Sequence, residues 1–192
     1  SVTTNGTANA TGNFVGSTAL VIYASGLGHS VTFGSQPAPV TGTFSGEAGI
    51  RMVAENSSLD AWFAGGAITA TRANNGIDAL SIQAADSINL TMTGGTVVNG
   101  GISASLTAGP GHNASSLLTI ATDARITNSY SAGAGLTAFS REAGADIVLT
   151  SGASINVANI GVLLLPNTGQ SRFATAAGTS INQTGNTGAL RT

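Results

Sequence analysis

The 192-residue chain has no cysteine and no lysine. Without cysteine there is neither a disulfide scaffold nor a thiolate-ligated metal site. That absence does not fix the compartment, because a secreted chain that crosses a membrane unfolded also does better without disulfides. All basic residues are arginines (Arg51, Arg72, Arg125, Arg141, Arg172 and Arg191), scattered among eight acids for a net charge of −2. A phosphate backbone or an anionic bilayer needs clustered cations, so nucleic-acid binding and a polybasic membrane patch are excluded. Charged residues make up 7% and aromatics 5%, against roughly 25% charged in ordinary globular domains. Long apolar runs are missing too. Ile160–Pro166 is far too short to cross a bilayer, so no direct membrane insertion of this segment is expected.

Gly (27 residues), Ala, Ser, Thr and Asn fill the space. Such a composition suits a disordered chain, but apolar residues still reach 42%, mean hydropathy is +0.27 and the aliphatic residues are regularly placed. One apolar position recurs at Ile68, Val97, Ile126 and Ile155, in steps of 29 residues, and again at Ile181, 26 further on. A fixed period of this size is the mark of a solenoid. A second series, Ile50, Ile77, Ile102, Leu136, Val162 and Ala189, has Gly before every member, as expected where a repeated bend requires positive φ. Its 34-residue step, from Ile102 to Leu136, predicts a longer loop around Ser129–Ala134. A third series is Leu59, Ile88, Leu118, Ile147 and Phe173, with polar or small residues before each member.

Three strand sites per coil of about 26–30 residues predict an all-β, right-handed, three-faced parallel β-helix of six to seven coils. Helix is disfavoured by the density of Gly and β-branched residues. A β-sandwich has no reason to keep a 29-residue register. The chain reads as a single domain or fragment, with irregular first coils over 1–45 and regular coils over 46–192. In the first part Val40, Ile22 or Tyr23, Val31 and Phe14 fall near expected strand sites, and Pro37 and Pro39 predict a loop or distorted coil. The opening SVTTNGTANATG lacks a signal-peptide pattern, and the closing GALRT carries no capping element. Both suggest a mature or excised piece of a longer chain.

Strand alternation converts the register into faces. With the first series inward, Thr69, Val98, Thr127, Asn156 and Asn182 form an exposed, mostly uncharged stripe. On the second face Leu163, Leu165 and Phe139 point outward, unless a bulge in GVLLLP turns one Leu in. Trp62 also lands outward, between inward Ala61 and Phe63.

The search for chemistry finds no catalytic residue. Asp86 and Asp146 occupy similar expected turn positions two coils apart, about 10 Å, just past an inverting carboxylate pair. Ser115 and Ser116 stand between them, which favours turn capping. His29 and His112 lie in Gly-rich loops without a second ligand at metal spacing, and neither a nucleophile elbow, a calcium nonapeptide nor a phosphate loop occurs. No cofactor or metal is expected. Six Asn-x-Ser/Thr sequons (Asn5, Asn9, Asn56, Asn89, Asn113 and Asn182) carry no functional weight in a chain this rich in those residues.

The runs GIDALSIQAADSINLTMTGGTVVNGGISASLTA and REAGADIVLTSGASINVANIGVLLL resemble the pertactin-like passenger domains of Gram-negative autotransporters. The resemblance lies in texture and period over about residues 45–190. It implies export, display at the cell surface or release outside the cell, and a role in adhesion, cell–cell self-association or virulence. Partners on this reading are a host surface protein or glycan, or an identical copy on another cell. The candidate contact residues are Thr69, Thr127, Asn156 and Asn182 on the polar stripe, with Trp62 apart. The alternatives are a carbohydrate-active β-helix enzyme, an ice-binding solenoid, for which the Thr69 ladder is broken at Val98, and a structural spacer.

Overall fold

The computed structural model describes residues 2–3, 13–14, 17–25, 30–73, 76–107, 117–141, 144–166, 170–185 and 190–191. His29, His112, Ser115, Ser116, Asn5, Asn9, Asn113 and Ala189, singled out in the sequence, lie outside them. Three seven-stranded sheets, every neighbouring pair parallel, wrap one core as a three-faced parallel β-helix. Sheet A runs through Val31–Phe33, Leu59–Ala64, Ile88–Thr93, Leu117–Thr122, Gly144–Leu149 and Ser171–Thr175. Sheet B runs through Thr43–Gly46, Ala67–Ala70, Val97–Asn99, Arg125–Asn128, Ser154–Val157 and Ser180–Gln183. Sheet C runs through Thr18–Ala24, Ala48–Ala54, Leu80–Ala84, Ile102–Leu106, Ala134–Ser140 and Ile160–Pro166. The seventh strand of each sheet is a two-residue pairing: Val2–Thr3, Asn13–Phe14 and Leu190–Arg191. Six coils therefore carry full strands in all three sheets.

The core is a set of ladders, each a column of apolar residues one coil apart. Sheet A stacks Leu59, Ile88, Leu118 and Ala145, with Ala61, Leu90, Ile120, Ile147 and Phe173 beside them. Sheet B stacks Phe44, Ile68, Val98, Ile126, Ile155 and Ile181. Sheet C stacks Leu20, Ile50, Leu80, Ile102, Leu136 and Val162, and Leu190 pairs with Val162 in the strand register. Most of these side chains are fully buried, and each such Ile, Leu or Val contributes about 1.5–3 kcal/mol by leaving water.

Several expected register members shift. Val97 is outward and Val98 is the buried partner of Ile68 and Ile126. The cause is turn length. Between sheets A and B, aligned coils use three residues (64–66), four (93–96), two (123–124) and four (150–153). The extra residue before Val97 is Thr96, which is buried and donates its hydroxyl to Gly65 O at 3.3 Å or Thr93 O at 3.1 Å. In sheet C, Leu80 replaces Ile77, which is half-buried in the preceding turn, and Leu190 takes the place given to Ala189. Ile147 and Phe173 belong one inward position further along sheet A than Leu118. At the sheet B position sought at Val40, the ladder holds Phe44, while Val40 is buried and bridged to Phe63. Of the pair Ile22 or Tyr23, Ile22 faces Met52 inward and Tyr23 is 51% exposed.

The corner glycines also serve a different purpose from the one expected. Of the glycines expected at the bend, Gly76 has positive φ (81°), whereas Gly49, Gly101, Gly135 and Gly161 do not. A Cβ on Gly49 would stand 2.7 Å from Ile68 Cγ2, and one on Gly135 would stand 2.6 Å from Ile155 Cγ2 and 2.9 Å from Gly161 O. They are small because adjoining coils and sheets press on them. Positive φ is also found at Gly65, Gly66, Gly94 and Gly95, in the sheet A to sheet B turns, and at Gly100, just before Gly101. The long step to Leu136 has two sources: a five-residue connection over 129–133, and the ten residues between Leu106 and Leu117, most of them outside the described residues. Pro37 sits in an exposed tight turn closed by mutual Ser35–Ala38 backbone bonds of 3.1 Å, as a residue without an N–H requires.

Candidate binding face

The outward side of sheet B places one residue per coil on a line: Ser45, Thr69, Asn99, Thr127, Asn156 and Asn182. Each follows an inward apolar residue, so the period-two pleat presents its polar side chain to solvent. Neighbours stand about 4.8 Å apart, close enough for side chains to bond along the column. Asn99 Nδ2 donates to Thr69 Oγ1 at 3.1 Å, and Thr127 Oγ1 donates to Asn99 Oδ1 at 3.0 Å. Two coils on, Asn182 Nδ2 donates to Asn156 Oδ1 at 2.8 Å. A primary amide has two N–H groups and two lone pairs on its oxygen, so a bonded Asn retains capacity for a ligand. The ladder bonds hold these rotamers and reduce the ordering entropy a partner must overcome.

Two hollows flank this column. One, of about 210 Å³, lies beside Asn99 and Thr127 with Ala70, Thr71 and Ser129 on its walls. The other, of about 440 Å³, is bordered by Thr127, Asn156, Asn182 and Thr184. The 129–133 connection meets the corner here. It is fixed by buried Asn128, whose Nδ2 donates to Ala134 O at 2.8 Å and whose Oδ1 accepts from Tyr130 N at 3.0 Å.

Thr69, Thr127, Asn156 and Asn182, expected on one stripe, share this column. Trp62 does not: it lies outward on sheet A, half-buried, opposite Thr91. Asn99 was missed because the assumed register put Val98 in its place. No sequence signal marked the longer turn, since AGGAIT and TGGTVV both carry a doubled glycine with positive φ. Asp86 and Asp146 are not equivalent. Asp86 stands in a turn, whereas Asp146 is an outward strand residue aligned with Thr119 and Arg172. On sheet C the strand Ile160–Pro166 alternates without a bulge, Val162 and Leu164 inward, leaving Leu165 41% exposed and Leu163 and Phe139 half-buried.

Among the described residues, no group of three or more His, Asp or Glu side chains converges as a metal site. Asp78 is the carboxylate most affected by its surroundings. Its Oδ1 lies against Gly101, where a Cβ would collide with it, and burial pushes its carboxyl up from 3.8 to about 6. Between these values the folded state holds a proton that the unfolded chain releases, so the contribution of Asp78 to stability is fully present below pH 3.8 and is lost as pH rises through about 6. Asp78→Asn should remove this fall and raise stability at pH 7 by about 1–3 kcal/mol. Urea unfolding at several pH values checks the sign.

The chain matches no protein-family model, no curated protein and no solved structure. What defines its class is the architecture itself: a three-faced parallel β-helix with a hydrogen-bonded Thr/Asn ladder on one face.

Proposed function

We propose that the chain is part of an exported passenger region of the pertactin-like autotransporter type, acting outside the cell without catalysis. Its task on this reading is adhesion to a host protein or glycan, or association with an identical copy, through the ladder face. The Thr69–Asn99–Thr127 and Asn156–Asn182 bonds carry the proposal, because they preorder a straight row of uncharged donors and acceptors. Each contact is weak; a row at fixed spacing gains strength by engaging several at once.

A hydrolase is less well supported. Asp60 and Asp146 share one outward row, but Asn89 and Thr119 separate them by three coil steps, about 14 Å, beyond the roughly 9.5 Å of an inverting pair. An ice binder lacks its aligned Thr pairs, since Asn99 and Asn156 interrupt the Thr positions.

Beads coated with the chain provide the test. They should clump with one another or adhere to host cells, and Thr127→Arg combined with Asn156→Arg should reduce the effect at least about tenfold through like-charge repulsion and lost hydrogen bonds. Both sites are exposed, so the variant should keep the wild-type circular dichroism spectrum. Beads that neither clump nor adhere would oppose the proposal, as would a folded double variant that behaves like the parent.

A further inference from the structure

The outer face of sheet C carries a second feature, separate from the ladder. Phe139 and Leu165 are direct neighbours on adjacent strands. With Pro166 they line a hollow of about 510 Å³, whose remaining described walls are Thr107 and Arg141. This volume falls within the roughly 300–1,000 Å³ of small-ligand clefts, which combine apolar walls with a few placed polar groups. Arg141 is exposed and has no ion-pair partner among the described residues. Thr107, on the neighbouring coil, donates its hydroxyl to Ala84 O at 3.3 Å.

We propose that this hollow binds an amphipathic monocarboxylate, its carboxylate on the Arg141 guanidinium and its hydrocarbon chain on Phe139, Leu165 and Pro166. The charge complementarity selects the headgroup. One guanidinium fork matches the two oxygens of a carboxylate. The apolar part selects the tail, because covering Leu165 and the Phe139 ring removes surface that would otherwise stay wet. The site uses none of the sheet B ladder residues, so it stands or falls independently of the proposed adhesive function.

Titration with octanoate, followed by amide chemical shifts, tests the assignment, with octanamide as the uncharged control. Octanoate should give saturable shifts centred on Phe139, Arg141 and Leu165. Arg141→Gln should weaken octanoate roughly five- to tenfold while leaving octanamide unchanged, the amount expected for an exposed charge-assisted contact. Leu165→Ser should weaken both ligands. Shifts that do not saturate, shifts centred elsewhere, or an Arg141→Gln effect equal for acid and amide would overturn the proposal. Unperturbed spectra of both variants away from the hollow establish that they remain folded.

Discussion

Val98→Asp should unfold the solenoid, while Val97→Asp, one residue earlier, should leave it folded. Val98 is 0% exposed and stacks between Ile68 and Ile126. A carboxylate there has no partner and no water. It must either remain charged at a cost of several kcal/mol or take up a proton and still lose the apolar contacts. A loss of about 4 kcal/mol or more is expected, in the range reserved for buried unpaired charge. Val97 points outward beside Ala67 and Arg125. A carboxylate there enters water near a guanidinium and should change stability by less than about 1 kcal/mol. Urea midpoints from circular dichroism suffice for the comparison, without assuming a two-state transition, which repeat arrays need not follow. Equal loss at both positions, or greater loss at Val97, would contradict the register.

Gly135→Val should be strongly destabilising. Its first added carbon would meet Ile155 Cγ2 at 2.6 Å and both Gly161 O and Val157 Cγ1 at 2.9 Å. Backbone of the next coil is among these atoms, so rotamer changes alone cannot make room. Overpacking of this kind costs about 1–3 kcal/mol in a core that can adjust, and about 3 kcal/mol or more is expected here. Gly152→Ala is the contrasting case. Nothing lies within 4 Å of its Cβ, but its φ of 93° is unfavourable for a side chain, and about 1 kcal/mol is expected from the backbone alone. Thermal midpoints should rank the two in that order. The reverse order would mean that the corner glycines act through φ after all.

These cases show what a single chain makes legible. Side-chain direction depends only on parity within a strand, so displacing Ile147 and Phe173 by two residues left them on the correct face. Displacement by one residue at Val97 reversed the assignment for that coil and hid Asn99. The error arose in the turns, whose two to four residues sum with other connections to a misleading 29. The repeat revealed the core because every coil must bury an apolar residue in each sheet. The extra turn residue is accommodated by local contacts such as Thr96 to Gly65, which leave little periodic trace. Thr69, Thr127, Asn156 and Asn182 were legible because the residue before each, Ile68, Ile126, Ile155 or Ile181, was correctly placed inward. The bonds that join Asn99 to Thr69 and Thr127 were not, because they need both the correct register and the rotamers. Gly before Leu136 and Val162 was visible as a pattern, but its origin in contact between coils required the packed structure.

The register and the ladder meet in one measurement. Because the chain has no cysteine, a disulfide can form only between introduced thiols. Thr69→Cys and Asn99→Cys would lie on the same outward column of adjacent parallel strands, about 4.8 Å apart, within the 4.4–6.8 Å that a disulfide spans. Under mild oxidation of the folded chain, mass spectrometry should show this pair joined, while Thr69→Cys with Val98→Cys stays reduced because the second thiol points into the core. Cross-linking of the 69/98 pair in preference to 69/99 would contradict the register on which the ladder rests.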